Sequence, residues 1–281
     1  MNAGPPESPA IALEGVRIGF DEREVLSGVS FSVAARETLA LLGETGAGKT
    51  LLLKMVAGLL RPDAGRIRVL GNEVTEMPEA ELLGFRRRLG FVFQEGALFD
   101  SLSVADNVAY RLREERVDED EIESRVEETL RFVEMQEAKD KLPGEISGGM
   151  RRRVSIARAL ITRPPIVLYD SPTAGLDPVT SQRIITLILR LRDVYGVTSL
   201  LATQRIQDAF ALANYRFAPE ENAVVAVSPN GHTPAGQPLS LPAGSRARTR
   251  FLFLREGKVY FEGDQDAVSR TKDSYLQKFL V

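Results

Sequence analysis

The segment at positions 43–50, Gly-Glu-Thr-Gly-Ala-Gly-Lys-Thr, constrains the fold of this chain most strongly. Its glycines, lysine and threonine stand at every fixed position of the pattern Gly-x-x-x-x-Gly-Lys-Ser/Thr. The apolar run at 38–42 predicts a buried strand before it, and the run at 51–56 predicts a helix after it. A glycine-rich turn from strand to helix presents unpaired backbone N–H groups and the positive end of a helix dipole, which together bind phosphate. The alternative is a glycine-rich turn that matches by chance.

The pattern predicts that this loop binds ATP and Mg²⁺. Lys49 supplies a positive charge for the β- and γ-phosphates, and Thr50 offers its hydroxyl to the metal. The glycines permit the close approach of backbone to phosphate. A second threonine at position 51 would extend the loop's set of binding residues, but that position is Leu51. The predicted nucleotide-binding residues of the loop are Gly43, Glu44, Thr45, Gly46, Ala47, Gly48, Lys49 and Thr50.

Four further motifs accompany the loop. Ser147 precedes Gly148 and Gly149 and is suited to cap a helix, although alone this is an ordinary helix start. The apolar run at 166–169 predicts a strand that ends in Asp170, a carboxylate placed to hold Mg²⁺ through water. Gln94 ends another apolar run, and Asp177 follows soon after Asp170.

With these motifs in this order, the chain resembles the ATP-binding cassette (ABC) family of transporter ATPases over about residues 10–215 and again over about 250–281. The resemblance implies an α/β fold with a RecA-like P-loop NTPase core, a small antiparallel β subdomain and an inserted α-helical signature subdomain. It implies one domain over 10–281, with the helical insert at about 97–160 and a disordered N-terminus at 1–9.

The resemblance also implies roles for individual residues. Gln94 senses Mg²⁺ and the γ-phosphate, and Asp177 lies at a dimer seam. Ser147, Gly148 and Gly149 bind the γ-phosphate of ATP held by a partner cassette, because they lie too far from the loop at 43–50 to reach the same ATP. We therefore expect a head-to-tail dimer, either a homodimer or a pair of different cassettes. Phe20 matches the aromatic that stacks on adenine, with packing in the core as the alternative.

Two positions depart from the family pattern. The residue after Asp170 is Ser171 where the family has a catalytic Glu, and Gln204 stands where the family has a switch His. Serine cannot serve as a general base near neutral pH, and glutamine cannot carry a proton. We expect slow hydrolysis, with Glu95 as a substitute carboxylate, unless positioning and charge stabilisation alone keep the rate up. The predicted catalytic residues are Lys49, Gln94, Asp170, Ser171 and Gln204, and the predicted metal ligands are Thr50, Gln94 and Asp170.

Composition narrows the class of protein and the partners to expect. The chain has 281 residues, a net charge of −3 and no cysteine, so nothing favours nucleic acid as a partner or a disulfide framework. No apolar run is long enough to cross a bilayer, so we expect separate permease subunits. The segment at 216–250 is rich in Pro, Gly and Ser and predicts a flexible loop or hairpin insertion, in which His232 is expected to be solvated.

The cargo is indicated only by resemblance within the family. The stretch at 93–110, and Met150 after Gly149, are similar to the Mla and Mce-type phospholipid transport ATPases. This implies a peripheral subunit on the cytoplasmic face of the bacterial inner membrane, with permease subunits and a periplasmic lipid-binding (Mce-type) subunit as partners. Apolar residues at 97–99 and 102 suit a socket for a permease helix, or they pack the helical insert. A cassette for another cargo, a non-hydrolytic half of an asymmetric pair and a soluble non-transport ATPase remain alternatives.

Overall fold

The computed structural model describes residues 8–226 and 249–280. Twelve strands and nine α-helices occupy these residues. The strands are Ile11–Phe20 (β1), Arg23–Val33 (β2), Thr38–Leu42 (β3), Ala64–Val69 (β4), Asn72–Glu73 (β5), Leu89–Val92 (β6), Ile166–Asp170 (β7), Thr198–Ala202 (β8), Tyr215–Ala218 (β9), Ala223–Ala226 (β10), Thr249–Arg255 (β11) and Lys258–Gly263 (β12). The α-helices are Lys49–Val56 (α1), Glu79–Arg86 (α2), Val104–Glu114 (α3), Glu119–Phe132 (α4), Gly148–Leu160 (α5), Pro178–Tyr195 (α6), Ile206–Asn214 (α7), Gln265–Ser269 (α8) and Ser274–Leu280 (α9).

A six-stranded sheet in the order β12-β11-β3-β8-β7-β6 forms the centre of the molecule. All neighbours pair in parallel except β11 and β12, which form an antiparallel hairpin. Strands β3, β7 and β8 are buried along their whole length, as expected for parallel strands covered on both faces. The carboxyl ends of parallel strands share one edge, so the residues that follow β3, β6, β7 and β8 collect there.

A second sheet in the order β2-β1-β4-β5 is the predicted antiparallel subdomain. Buried and exposed residues largely alternate along β2 and β4, which leaves one face on the core and one in solvent. Phe20 ends β1 at the turn into β2. The backbone amide of Ser27 donates to the carbonyl of Gly257 at 2.8 Å, which joins this sheet to the β11–β12 hairpin.

Helices α3, α4 and α5 make up the predicted helical insert. Ile122, Val126 and Leu130 are buried along one face of α4, as their spacing predicts, and the Glu-rich opposite face is exposed. Burial of each such aliphatic side chain contributes roughly 1.5–3 kcal/mol. Asn107 of α3 is fully buried and donates to the carbonyls of Phe99, Leu102 and Ser103, so it fixes the loop that enters the insert.

The segment predicted as a loop or hairpin insertion contains regular structure where it is described. Strands β9 and β10 pair as a hairpin, and β9 packs against α6. The turn between them places Asn222 at a φ of 47°, a conformation that asparagine tolerates. Residues 227–248, which include His232, lie outside the described residues, as do 1–7 and 281.

The fold is therefore the predicted α/β architecture, with the antiparallel sheet and the helical insert attached to one P-loop core.

Candidate nucleotide-binding site

The loop at 43–48 joins β3 to α1 at the carboxyl edge of the central sheet. Gly48 lies just before α1 with a φ of 94°, and a Cβ there would collide with the side chain of Leu26. Gly43 has a φ of 149°, and a Cβ there would lie 2.6 Å from the carbonyl oxygen of Leu254. Both positions therefore require glycine, so the backbone amides at the start of α1 stay uncovered.

Lys49 is buried, and its ammonium group points back into the loop. Its Nζ donates to the carbonyls of Gly43 and Glu44, at 2.8 Å each. Burial lowers the pKa of Lys49, and the nearby carboxylate of Asp170 opposes that shift. The charge is thus held at the mouth of the loop by neutral acceptors, which a phosphate oxygen can replace as a stronger, charged partner.

Thr50 and Asp170 bring two oxygen ligands together from the ends of different elements. Thr50 Oγ1 donates to Asp170 Oδ1 at 3.1 Å, and the carboxylate of Asp170 is buried. No group of three or more His, Cys, Asp or Glu side chains within 8–226 and 249–280 could hold a metal ion. One hydroxyl and one carboxylate fit Mg²⁺, which keeps several waters and is completed by substrate phosphates. These residues would hold the metal, which would supply positive charge to neutralise the phosphates.

Position 51 does not belong to the nucleotide-binding set, so extending that set to a second threonine there was wrong. The residue is Leu51, the third of α1, and its half-buried side chain packs against the apolar core formed with the antiparallel sheet. An aliphatic side chain has no oxygen for a metal or a phosphate, and a second hydroxyl at this place would require Leu51→Thr. Of the first residues of α1, Thr50 alone therefore supplies a hydroxyl.

Ser171 and Gln204 lie beside the pair of Thr50 and Asp170. Ser171 has a φ of 46°, and its backbone amide donates to the carbonyl of Ala202 at 2.8 Å. Its Oγ donates to Asp170 Oδ1 at 3.5 Å. Gln204 Oε1 accepts from Thr45 Oγ1 at 3.3 Å, so it contacts the loop at 43–50 directly. Ser171 and Gln204 therefore both lie at the sheet edge that also carries the loop at 43–50 and Asp170.

A buried network behind Gln204 was not apparent from the sequence. Asp208 accepts hydrogen bonds from Thr173 Oγ1 and from Thr203 Oγ1, the latter at 3.2 Å. Arg205 donates to Ser181 Oγ at 3.0 Å. Burial raises the pKa of Asp208, and its hydrogen bonds and Arg205 oppose the rise. The signal in the sequence that could have indicated this network is a carboxylate, Asp208, on the apolar face of α7. The structure buries Asp208 together with Leu212 on that face.

Gln94 is exposed just after β6, and the helix α5 holds the loop around it. Arg152 is buried and donates to the carbonyl of Phe93. Arg158 donates to the carbonyls of Gly96 and Ala97, at 3.0 and 2.8 Å. Burial lowers the pKa of Arg152, and the carboxylates of Asp170 and Glu95 oppose that shift. Glu95 thus lies within electrostatic reach of the same guanidinium as Asp170.

Ser147 and Asp177 cap neighbouring helices. Ser147 Oγ accepts from the amide of Met150 at 3.3 Å at the start of α5, and Asp177 accepts from the amide of Thr180 at 3.0 Å at the start of α6. A Cβ on Gly149 would collide with the side chain of Thr180, so the two helix starts touch. Ser147, Gly148 and Asp177 are exposed. In the part of the chain that is described, no hydrogen bond joins 147–149 to the loop at 43–50.

Comparison with known proteins decides the family. A family model described as "ABC transporter" matches residues 26–174. The chain belongs to the ABC transporter family.

Three relatives of this cassette illustrate the likeness. The methionine import ATP-binding protein MetN of Brucella abortus (strain 2308) is 36% identical over 236 residues, which cover 82% of the cassette and 64% of MetN. The cassette therefore spans less than two thirds of the length of that protein. The chloroplastic protein TRIGALACTOSYLDIACYLGLYCEROL 3 of Arabidopsis thaliana is 34% identical over 271 residues, covering 93% of the cassette and 70% of that protein. The dimeric ATP-binding cassette MJ0796, in a post-hydrolysis state with ADP and Pi, superposes with a TM-score of 0.72 at 25% identity, covering 90% of this chain and 98% of that one.

The predicted site residues of the cassette fall into separate groups. Those at 43–50 lie together with Asp170, Ser171 and Gln204, whereas 147–149 and Asp177 form a second group at the starts of α5 and α6. Phe20 stands apart at the end of β1 and is 48% exposed, so it does not pack in the core. It lines a surface cavity of about 400 Å³ together with Arg17 and Asp63. Stacking of Phe20 on adenine remains a prediction.

Proposed function

We propose that this cassette clamps MgATP between two copies, or between itself and a second cassette, and hydrolyses it slowly to gate a membrane transporter. The observation that carries the proposal is the contact of Thr50 with Asp170 beside Ser171 and Gln204. The groups that bind phosphate and metal are all present, whereas the carboxylate and imidazole that handle the water are replaced.

Nucleotide binding rests on charge and on backbone geometry. Lys49 Nζ exchanges the carbonyls of Gly43 and Glu44 for phosphate oxygens, and the amides at the start of α1 supply further donors. Thr50, Asp170 and Gln94 would hold Mg²⁺ against the phosphates. Phe20, exposed at the end of β1, offers a ring for the base.

Dimerisation follows from the separation of the two groups of site residues. Backbone amides at the start of α5 are exposed at 147–149. They lie too far from the loop at 43–50 to bind the ATP that this loop would hold. A second cassette packed head to tail would place its ATP there, with Asp177 at the seam. The dimeric state of the related MJ0796 with ADP and Pi supports this arrangement. ATP then stabilises the closed pair because it binds the closed state better than the open one.

Slow turnover follows from the two replacements. Ser171 donates toward Asp170 and has no basic group, and Gln204 can hydrogen-bond a phosphate oxygen or a water through its amide. Loss of general-base assistance costs roughly 10²–10⁴ in rate. Glu95 interacts electrostatically with Arg152, as Asp170 does. It is our candidate for a weaker substitute for the missing general base.

The transporter we propose carries phospholipid at the bacterial inner membrane. No helix in 8–226 or 249–280 is long and apolar enough to cross a bilayer, so permease subunits would supply the channel. One relative is named for trigalactosyldiacylglycerol, which is a lipid, and this supports the lipid cargo that the segment at 93–110 indicates. Exposed Phe99 and Ala97 would contact a permease helix, and a periplasmic Mce-type subunit would complete the complex.

A second candidate is a cassette for another cargo, or a non-hydrolytic half of an asymmetric pair. The name of MetN, a methionine importer, favours another cargo, and the replacement of both water-handling groups favours the asymmetric pair. Purification of the cassette with its membrane partners separates these candidates. Bound phospholipid and a lipid-binding subunit support the first proposal, and a second cassette with an intact Glu and His supports the asymmetric pair.

Steady-state ATPase measurements test the mechanism. We expect Ser171→Glu to raise the rate of the purified cassette by about 10² or more, and Gln204→His to add to it, because general-base assistance returns. Ser171→Gln, similar in size but without a carboxylate, is the matched control and should stay near wild type. Brisk turnover by the wild-type protein with no gain in Ser171→Glu would refute the proposal, as would wild-type protein that fails to bind MgATP.

A further inference from the structure

The short C-terminal helix α9 packs against the edge of the central sheet that carries the phosphate-binding loop. Tyr275 and Leu276 of this helix are buried against Phe251 and Phe253 of β11. Phe253 pairs with Leu42, the last residue of β3, and Leu254 lies one position beyond that pair. The core under α9 therefore ends where the loop at 43–50 begins.

The hydroxyl of Tyr275 reaches that point directly. Its Oη donates to the carbonyl of Leu254 at 2.9 Å, inside the protein. The same carbonyl oxygen lies against Gly43, because a Cβ on Gly43 would be only 2.6 Å from it. The carbonyls of Gly43 and Glu44 in turn hold Lys49 Nζ at 2.8 Å. One line of contacts thus runs from Tyr275 through Leu254 and Gly43 to the phosphate-binding lysine.

The ring of Tyr275 is held from several sides. The guanidinium carbon of Arg255 lies 4.8 Å from the ring centroid, and Lys278 Nζ lies 5.9 Å from it. Asp273 accepts from the amides of Tyr275 and Leu276 at 2.9 and 3.0 Å, and from Tyr260 Oη at 2.6 Å. These contacts surround the ring whose hydroxyl donates toward the start of the loop.

Glu44 provides a second connection between α9 and the loop. Lys278 Nζ lies 4.0 Å from Glu44 Oε1, on the solvent side of Tyr275. Burial raises the pKa of Tyr275, and a hydrogen bond from the backbone amide of Glu44 to its hydroxyl opposes that rise. Glu44 is exposed, and its backbone is part of the phosphate-binding turn.

We propose that Tyr275 is a positioning residue for the phosphate-binding loop, which holds the carbonyl of Leu254 against Gly43 and so keeps Lys49 and the loop amides in their binding geometry. This role rests on the proposed nucleotide site. Without the hydroxyl, the buried carbonyl of Leu254 loses its partner, and the loop gains freedom that nucleotide binding must then remove.

Two measurements on the full chain test this role, with Tyr275→Phe as the variant and Tyr260→Phe as its matched control. Tyr260→Phe removes an equivalent hydroxyl from a ring whose centroid lies 5.1 Å from that of Tyr275, but that hydroxyl donates to Asp273 and not to the loop side. We expect Tyr275→Phe to raise the Kd of a fluorescent MgATP analogue about fivefold to tenfold, the effect of one buried hydrogen bond, and Tyr260→Phe to change it less than about twofold. We also expect faster amide hydrogen exchange at 43–48 in nucleotide-free Tyr275→Phe and not in Tyr260→Phe.

The exchange measurement separates this inference from the proposed function. Wild-type protein that does not bind the analogue refutes the proposed function, whereas unchanged exchange at 43–48 in Tyr275→Phe overturns the positioning role. Equal effects of both substitutions also overturn it, because they would reflect general loosening of α9. If Tyr275→Phe does not fold, amide exchange at Gly43 and Glu44 of the nucleotide-free wild-type protein takes its place. Protection close to that of β3 supports the role, and exchange as fast as that of an exposed turn refutes it.

Discussion

Thr50 Oγ1 lies 3.1 Å from Asp170 Oδ1 although 120 residues separate them in the chain. The two groups meet because β3 and β7 both pair in parallel with β8. The start of α1, which follows β3, and the last residue of β7 therefore lie at the same edge of the sheet. A hydroxyl and a buried carboxylate at this distance suit a small divalent ion that is shared with phosphate oxygens.

The hydroxyl of Thr50 should therefore govern the metal dependence of nucleotide binding. We expect Thr50→Val, which keeps the shape of the side chain, to weaken MgATP binding about tenfold or more, since a metal ligand is lost. Binding of ATP in EDTA should change little. Titration with a fluorescent ATP analogue, with and without Mg²⁺, checks this, and Thr50→Ser should behave like wild type. Equal weakening in EDTA would show that Thr50 acts on the loop rather than on the metal.

The contact between Gly149 and Thr180 predicts a specific rescue. A Cβ on Gly149 would collide with Thr180 Cγ2, so Gly149→Ala should lower stability and push apart the starts of α5 and α6. We expect a loss of about 1–3 kcal/mol in the free energy of unfolding. Thr180→Ser removes the colliding methyl group, and the double variant should recover most of this loss in urea unfolding. A double variant no more stable than Gly149→Ala would contradict the contact.

Arg152 should control the order of the loop around Gln94. Arg152→Met removes the charged donor to the carbonyl of Phe93, which keeps only its bond from the amide of Gly96. We expect faster amide exchange at 93–97 and a loss of roughly 1.5–3 kcal/mol in the free energy of unfolding. Arg153 lies next to it in α5 but donates to Val133 and Glu134 within the helical insert. Arg153→Met is therefore the control and should leave exchange at 93–97 unchanged. The prediction fails if both variants affect this loop equally.

Burial of Asp208 predicts a pH-dependent cost to stability. Its pKa is raised in the folded state, so the folded protein retains a proton that the unfolded chain releases, and this group lowers stability as pH rises above its ordinary pKa. Asp208→Asn removes the charge, and its amide oxygen can still accept from both threonines. The melting temperature of Asp208→Asn, relative to that of wild type, should rise as the pH increases from about 4 to about 7. A difference that stays constant, or shifts toward wild type, would contradict this.

Much of the fold was predictable because its signals are local. The apolar runs of β3 and β7, the cap at Ser147 and the periodic face of α4 depend on short-range patterns of burial and hydrogen bonding. The predicted strands, the hairpin of β11 and β12 and the helical insert follow from these patterns. The hairpin of β9 and β10 lies in a segment where a flexible loop or a hairpin was expected.

The amino-acid sequence by itself determined the family and predicted both a phosphate-binding loop and the unusual residues Ser171 and Gln204, because residue identity and spacing carry that information. Tertiary structure alone decided that Gln204 contacts Thr45, that Arg152 holds the loop before Gln94, that Asp208 joins two loops and that Tyr275 reaches Leu254. Each of these contacts joins elements distant in sequence. Their partners are set by which strands neighbour each other in the sheet and which helices cover it, and no local pattern specifies that packing.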